Sequence, residues 1–434
     1  MDILFKNITA VTMEQDTPVL TNVDVGVSYG KITHLAESSS DVRLLATTRI
    51  IDGTNKVLMP GLYNCHSHGA MAMFRGYAND RNLEDWLFNY IFPAEEKWTP
   101  ELLRTGALLA IAEMISSGTI AFTDMYSLMG ITAAVADEAG VLANISNGII
   151  TFDKNSYNFS RDHVYKQTML AMENLSGDGR IKIDASIHGV YTSHPDAWEQ
   201  VVEFARKHEL GMHVHLSETA TEHEGCKEEY GTTPTQIFAR HGVFDMPTVA
   251  AHAVWVTDED IEILAEKGVT VATCPISNLK LASGLAPVIK MQAAGINVAI
   301  GTDGVASNNS HDVFEELKMA SVLQKYISND PTALPAFDAL KMATVNGAKA
   351  QGRGHSSGMI KVGCDADILL IDFDNPRQTV CYDPVLNLAY STSGRDVEMT
   401  MCRGKILYEK GEFKTIDIEK ILFDARRARD IFLG

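Results

Sequence analysis

Val57-Leu58-Met59-Pro60-Gly61-Leu62-Tyr63-Asn64-Cys65-His66-Ser67-His68 is an apolar run that ends in His-x-His. On a β-strand, side chains two residues apart point to the same side. His66 and His68 can therefore aim two imidazoles at one point, which is what a metal ion needs. His-x-His alone also describes two ordinary histidines, so the reading rests on what the rest of the chain adds.

Beyond this stretch the texture is strand, loop, helix, repeated. Glu101–Ser117 has helical periodicity and stops at Gly118, Thr119–Asp124 is a strand, and a helical piece closes at Gly140. Val141–Ile150 is apolar and extended, Ile181–His188 is a strand, and Pro195–Leu210 is a helix with Pro in its first turn and Gly211 past its end. Met212–Leu216 and Thr248–His252 are strands. Thr257 caps a helix that runs to Lys267 before Gly268, Val269–Cys274 is a strand, and Gly284–Ala294 is helical. Ile296–Asp303 is a strand, and His311–Ile327 and Ala336–Ala350 are helices.

Eight strands result, ending near His68, Asp124, Gly148, His188, His215, His252, Cys274 and Asp303. That is the count of an α/β (β/α)8 TIM barrel. The alternative, an open doubly wound sheet, usually carries a Gly-rich phosphate loop after its first strand, and none stands here. Barrel active sites sit where the strands end. Five of the 14 histidines (His66, His68, His188, His215, His252) and Asp303 fall at those ends, a sorting that scattered core histidines would not produce.

Residues 1–56 read as short strands, including Ile3–Thr12 and Val23–Val27, with no helix signal. β texture returns over residues 357–434, with Gly358–Asp372 as strand, turn, strand, then Val397–Met401 and Lys405–Tyr408. The tail Asp417–Leu433 reads as an amphipathic helix. The expected division is a barrel over residues 57–356, with residues 1–56 and 357–434 joined into one small discontinuous β domain.

Composition narrows the class of function. A hydrophobic fraction of 45% with 21% charged residues describes a globular chain. No apolar run approaches the ~18 residues of a membrane span. Met1–Lys6 lacks the basic start and apolar core of a signal peptide, so the cytosol is the expected compartment. A formal charge of −19 argues against nucleic acid or an anionic membrane as partner. The six cysteines have no Cys-x-x-Cys spacing and read as free thiols. A homo-oligomer is expected.

His66, His68, His215 and Asp303 fit one divalent ion; three imidazoles and a carboxylate suit Zn²⁺, with Fe²⁺ as the alternative. Such an ion lowers the pKa of a bound water toward neutrality. Strand order places His252 to hydrogen-bond that water and Asp303 to take its proton. A second metal would want a bridging group at the end of strand four, where His188 stands, so one ion is expected. His213 lies deeper in its strand than His215 and reads as a buried, hydrogen-bonded histidine. Glu218, three residues past His215, is either a loop ion-pair residue or a proton shuttle to a substrate ring nitrogen.

Pro60–His68, His215-Leu216-Ser217-Glu218-Thr219, Ala251-His252 and Gly301–Asn309 together resemble the amidohydrolase superfamily. Pro275–Pro287 resembles its branch of S-adenosylhomocysteine/5'-methylthioadenosine deaminases and triazine hydrolases. The resemblance implies a barrel plus a composite β-sandwich, one zinc, and hydrolytic removal of a group from a nitrogen heterocycle. Carried over, His66, His68, His215 and Asp303 match the metal ligands. Glu218 matches the glutamate that protonates the ring, and His252 the histidine that orients the nucleophile. His188 matches a substrate contact, Glu95 a glutamate on the ribose hydroxyls, and Arg161 an arginine that reads the substrate's far end. Where such deaminases often carry a second arginine after strand three, this chain has Asn147.

The implied substrate is an adenine nucleoside such as 5'-methylthioadenosine, S-adenosylhomocysteine, 5'-deoxyadenosine or adenosine, with water as the co-substrate. The alternatives are a guanine-like base, a pterin or an s-triazine, and, from another class, a non-catalytic barrel. Glu95 discriminates among the enzymes, because a free base has no ribose for it to hold. The full ligand set argues against a decayed site.

Overall fold

The opening stretch is two strands, not one. In the computed structural model, which describes residues 1–39, 44–152, 157–175 and 177–433, Lys56–Pro60 pairs antiparallel with Ile368–Asp372, whereas Leu62–Ser67 pairs parallel with Thr119–Met125. Gly61 separates the two, and a Cβ added there would lie 2.5 Å from the Ile120 side chain.

In chain order the first strands are β1 (Ile3–Val11), β2 (Val19–Ser28), β3 (Lys31–Glu37), β4 (Arg49–Asp52) and β5 (Lys56–Pro60). The middle strands are β6 (Leu62–Ser67), β7 (Thr119–Met125), β8 (Leu142–Ser146), β9 (Ile181–Ile183), β10 (Ala185–Ile187), β11 (Met212–Leu216), β12 (Thr248–His252), β13 (Thr270–Thr273) and β14 (Asn297–Ile300). The last are β15 (Ile368–Asp372), β16 (Val397–Cys402), β17 (Lys405–Glu409) and β18 (Glu412–Phe413).

One nine-stranded sheet runs β18-β17-β16-β15-β5-β1-β2-β3, with β4 on β1. The two ends of the chain thus share hydrogen bonds, and Phe5, Ile8, Val25, Ile32, Leu58, Ile368, Leu370 and Met399 share one apolar core. The expected strand over Gly358–Asp372 is extended only from Ile368. Gly358 and Gly363 sit at φ 88° and 94°, a left-handed conformation that interrupts a ladder. Single bonds hold that segment instead, Ile360 N–H to Thr12 O and Gly363 N–H to Ile32 O.

The parallel strands form two sheets, β6-β7-β8-β9 and β10-β11-β12-β13-β14. The expected strand Ile181–His188 changes partner at Asp184. Asp184 N–H bonds to Ile145 O on one side, and Ala185 N–H bonds to Gly211 O on the other. At the other margin Asp303 N–H reaches His66 O at 2.9 Å and Thr302 N–H reaches Asn64 Oδ1 at 3.0 Å. β6, β7, β8, β11, β12 and β13 are buried along their whole length, as apolar runs covered on both faces must be.

Helices cover these strands, and several begin or end as their residues dictate. Thr257 and Asp260 form a reciprocal capping box, and Gly140 ends its helix at φ 85°. Three expectations are corrected. Gly284–Ala294 is helical only over Val288–Ala293, because Gly284 at φ 122° and Pro287 precede it. Ala336–Ala350 breaks at Thr344, whose hydroxyl bonds to Leu340 O. The extended segment from Val141 ends as a strand at Ser146. The tail helix Ile418–Leu433 brings Phe432 to 4.9 Å, ring to ring, from both Phe74 and Trp98.

Candidate active site

His66 is next to last in β6 and His68 follows the strand, His215 lies near the end of β11, His252 ends β12, and Asp303 stands just beyond β14. All are buried except His68, which is partly covered. Strand alternation sends His66 and His68 to one side, as expected from their spacing. Their Nε2 atoms lie 3.3 and 3.2 Å from Asp303 Oδ1, and His215 Nε2 lies 3.3 Å from His68 Nε2. Four ligand atoms at about 2.0–2.1 Å from one centre in a tetrahedron are about 3.3–3.4 Å apart.

The other atom of each group is committed elsewhere. His68 Nδ1–H donates to Met125 O and His215 Nδ1–H to His188 O, both at 2.6 Å. A carbonyl can only accept, so each ring in its neutral form keeps an Nε2 lone pair for the centre. His66 Nδ1 meets His213 Nε2 at 2.9 Å, and His213 Nδ1 continues to Ser146 Oγ at 3.3 Å. Asp303 Oδ2 accepts from Ser277 Oγ at 2.6 Å and Ser307 Oγ at 3.0 Å. His66 Nε2 is buried with no hydrogen-bond partner. Burial pushes His66 down to about 4 and His215 well below its ordinary value, so both are neutral ligands. Burial also resists charge on His68, but the Asp303 carboxylate outweighs it and lifts the ring to about 9. Three imidazole nitrogens and one carboxylate converge, and the carboxylate draws onto His68 the positive charge that a divalent cation would supply in place of that proton.

His252 is the other converging histidine. Its ring stacks on His215 with centroids 5.5 Å apart, and its Nδ1–H donates to Asn278 Oδ1 at 2.9 Å. That bond leaves Nε2 as an acceptor, 3.8 Å from Glu218 Oε2. Burial raises the Glu218 carboxyl above its ordinary range, which favours the protonated acid. Ser217, His252, Ala253 and Asp303 all have positive φ, at 47°, 72°, 49° and 62°. Non-glycine residues hold that conformation at a cost, and here the surrounding bonds hold four of them at the strand ends.

These groups open into a cavity whose wall includes His68, Glu95, Tyr126, Asn147, His188, His215, Glu218, His252 and Asp303. Apolar side chains of Met71, Trp86, Leu87, Phe92, Ile150 and Leu281 complete it. Glu95 lines the same cavity and accepts from Tyr126 Oη; burial lifts its carboxyl to about 7. Asn147 Nδ2 donates to Gln167 at 3.1 Å. Burial lowers His188 to about 3, and its Nδ1 meets Thr192 Oγ1 at 3.0 Å. The structure brings together every site residue expected from the sequence except Arg161. Arg161 is exposed and does not line the cavity, because buried Phe159 in the same turn packs against Tyr165 and Phe204.

Sequence reasoning gave no role to Ser277, Asn278 and Ser307, and did not notice Glu222. The first two stand directly after buried β13, where a polar pair facing the strand ends is itself a signal. His213 is buried and hydrogen-bonded as expected, and it also orients a ligand ring.

Histidines and a carboxylate converging at the C-terminal ends of parallel strands define a metal-dependent hydrolase. The chain belongs to the amidohydrolase family, whose model matches residues 57–407. It is 42% identical over 441 residues to the 5-methylthioadenosine/S-adenosylhomocysteine deaminase of Caldanaerobacter subterraneus subsp. tengcongensis, covering 100% of this chain and 99% of the relative. It is 42% identical over 429 residues to the 5'-deoxyadenosine deaminase of Methanosarcina acetivorans, covering 99% and 98%. Among solved structures it resembles an adenosine deaminase from Xanthomonas campestris with bound zinc, at a TM-score of 0.94 and 33% identity over 100% of this chain and 98% of that one.

Proposed function

We propose that this chain is a zinc-dependent aminohydrolase that converts an adenine nucleoside, with or without a modified 5' position, into the inosine analogue and ammonia. The observation that carries the reading is Glu218: a buried carboxyl sharing one cavity with His68, His215 and Asp303 and with an acceptor nitrogen of His252. The names of the relatives support the same chemistry.

Zinc (or Fe²⁺) held by His66, His68, His215 and Asp303 would supply Lewis acidity and a water acidified toward neutrality. The chain's own groups do the rest. Glu218, whose burial favours the protonated carboxyl, gives its proton to N1 of the purine, so the ring accepts electrons as water adds at C6. His252 Nε2, held in the acceptor tautomer by Asn278, takes a hydrogen bond from that water and orients it. One proton of the water restores the Glu218 carboxyl, and the other passes by way of the Asp303 carboxylate to the C6 amino group. The C6–N bond breaks, ammonia leaves, and a C6 carbonyl remains. Glu95 accepts hydrogen bonds from the ribose hydroxyls, and His188 and Asn147 bound the sugar side of the cavity. Apolar walls exclude competing water.

We further read the two parallel sheets as one (β/α)8 barrel over residues 57–356, and residues 1–56 and 357–434 as a composite β-sandwich with a C-terminal helix. The bonds from Asp303 and Thr302 to β6 and the pairing of β5 with β15 support this. Six free cysteines suit a reducing cytoplasm. Among the described residues no helix is long and apolar enough to cross a membrane. Exposed Val322, Tyr326 and Ile327 on one helix suit a homo-oligomer, which light scattering tests.

The deciding experiment is ammonia release from the zinc-loaded protein with adenosine, 5'-methylthioadenosine, S-adenosylhomocysteine, 5'-deoxyadenosine, guanine and a triazine. Turnover of ribonucleosides supports the reading. Turnover of only a free base or a triazine overturns it.

A further inference from the structure

We propose that Glu222 is a positioning residue for Glu218, its carboxylate clamping the turn that aims the Glu218 carboxyl into the cavity. The inference rests on the reading of Glu218 as the proton donor. Glu218 follows Ser217, a non-glycine residue at φ 47°. Left-handed backbone is disfavoured for such a residue and persists only where its surroundings enforce it. Here the enforcement is visible. Glu222 Oε1 accepts Ser217 N–H at 3.2 Å, and Glu222 Oε2 accepts Glu218 N–H at 2.7 Å. On the other side Ser217 O accepts the N–H groups of Val254 and Trp255, at 3.1 and 2.8 Å.

The ordinary role for a glutamate in this position would be helix capping. Thr219 is the N-cap of the helix Ala220–Tyr230, and its Oγ1 accepts Glu222 N–H at 3.0 Å. In a capping box the third helical residue returns its side chain to the N-cap N–H. Asp260 does this to Thr257 N–H at 3.0 Å. Glu222 has the same place in its helix, but its side chain is one methylene longer and passes the cap to reach the two residues before it. Its bonds therefore serve the backbone of Glu218 instead of the helix end. Ser217, Glu218 and Glu222 are all buried, and a buried carboxylate is costly unless its hydrogen bonds are filled.

Glu222 does not line the substrate cavity. It faces a second pocket, and Leu83, Leu87 and Tyr191 line both spaces. It touches no substrate in the proposed reaction and acts through Glu218.

The test compares Glu222→Gln, Glu218→Gln, the double variant and Thr257→Ala, each with kcat, KM, Tm and zinc content. Glutamine keeps the size of Glu222 but sets an amide NH₂ against one of the two N–H donors. Glu222→Gln should lower kcat about 10- to 100-fold, the effect of a small misplacement of a reacting group. KM should stay within about twofold, and zinc content should not change. The double variant should be no slower than Glu218→Gln, since the two residues act through one group. Thr257→Ala, which removes a distant helix cap, should lower Tm and leave kcat intact. If Glu222→Gln loses Tm but keeps wild-type kcat, Glu222 is only a cap and the proposal falls. If its kcat loss multiplies with that of Glu218→Gln, Glu222 acts elsewhere and the proposal also falls. If Glu218→Gln itself turns over at the wild-type rate, the reading of Glu218 has failed first.

Discussion

His215 supplies one of the converging Nε2 atoms, and its ring is locked by the bond to His188 O. His215→Ala should lower bound zinc, measured by metal analysis, and abolish turnover. Full activity in a verified metal-free sample would overturn the metal reading. Glu218→Gln should retain zinc and fold but lose on the order of 10²–10⁴ in kcat, the usual worth of a general acid. Glu95 links activity to stability. Burial lifts its carboxyl to about 7, above the ordinary 4.5, so the folded chain binds a proton that the unfolded chain releases between those values. Its stabilising contribution is complete below pH 4.5 and is lost as pH rises through about 7. Glu95→Gln should therefore flatten the fall in Tm between about pH 5 and 8. The same variant loses a charged acceptor for the ribose hydroxyls and should lower kcat/KM for nucleosides by about 1.5–3 kcal/mol. The converging residues were legible in the sequence because strand alternation and strand-end position are periodic signals. Arg161 was not, because its position depends on how buried Phe159 seats a turn, and no periodicity encodes that.

At the scale of elements, the short helix Pro275–Lys280 has the largest consequence for the site. It follows β13 at once, with Pro in its first turn, and presents Ser277 to Asp303 and Asn278 to His252. Its own end is tied to the helix Val313–Ser328, where Glu316 Oε2 accepts Ile276 N–H at 3.2 Å. One six-residue helix thus hydrogen-bonds to both Asp303 and His252. Asn278→Ala should free the His252 ring to take either tautomer and lower kcat by about 10- to 100-fold, with zinc content unchanged, as for other partners that orient a catalytic or ligating ring. An unchanged kcat would show that stacking on His215 alone holds His252. The helix went unread because so short an element has too few turns for a 3.6-residue period to emerge. Its neighbour was read too long for a related reason: Gly284 and Pro287 break the backbone inside an apolar pattern that looks continuous. The long buried strands were legible throughout. The partner change at Asp184 was not, because an apolar run records burial and not which strand lies beside it.

At the scale of the whole molecule, charge and cavity lining together set what the enzyme accepts. The formal charge of −19 gives no general attraction to an anionic substrate, so any carboxylate must be recognised by a local cation. Among the described residues no lysine or arginine lines the substrate cavity. Arg161 is exposed and outside its wall, and Asn147, which is in the wall, can hydrogen-bond but carries no charge. The same wall holds apolar side chains, Trp86, Leu87 and Ile150 among them. A methylthio or methyl group buries favourably against such side chains, at roughly 25 cal/mol per Å² of apolar area. A homocysteine carboxylate would be desolvated there with no partner of opposite charge, which is costly. The expected outcome is that 5'-methylthioadenosine, 5'-deoxyadenosine and adenosine have kcat/KM values at least equal to that of S-adenosylhomocysteine. Raising ionic strength should change the four values little and alike, since no long-range steering distinguishes them. Arg161→Ala should leave the ranking as it was. A kcat/KM for S-adenosylhomocysteine about tenfold or more above the others, about 1.4 kcal/mol in its favour, would overturn this reading. If Arg161→Ala then erased that preference, the arginine would have to reach the cavity when substrate is bound.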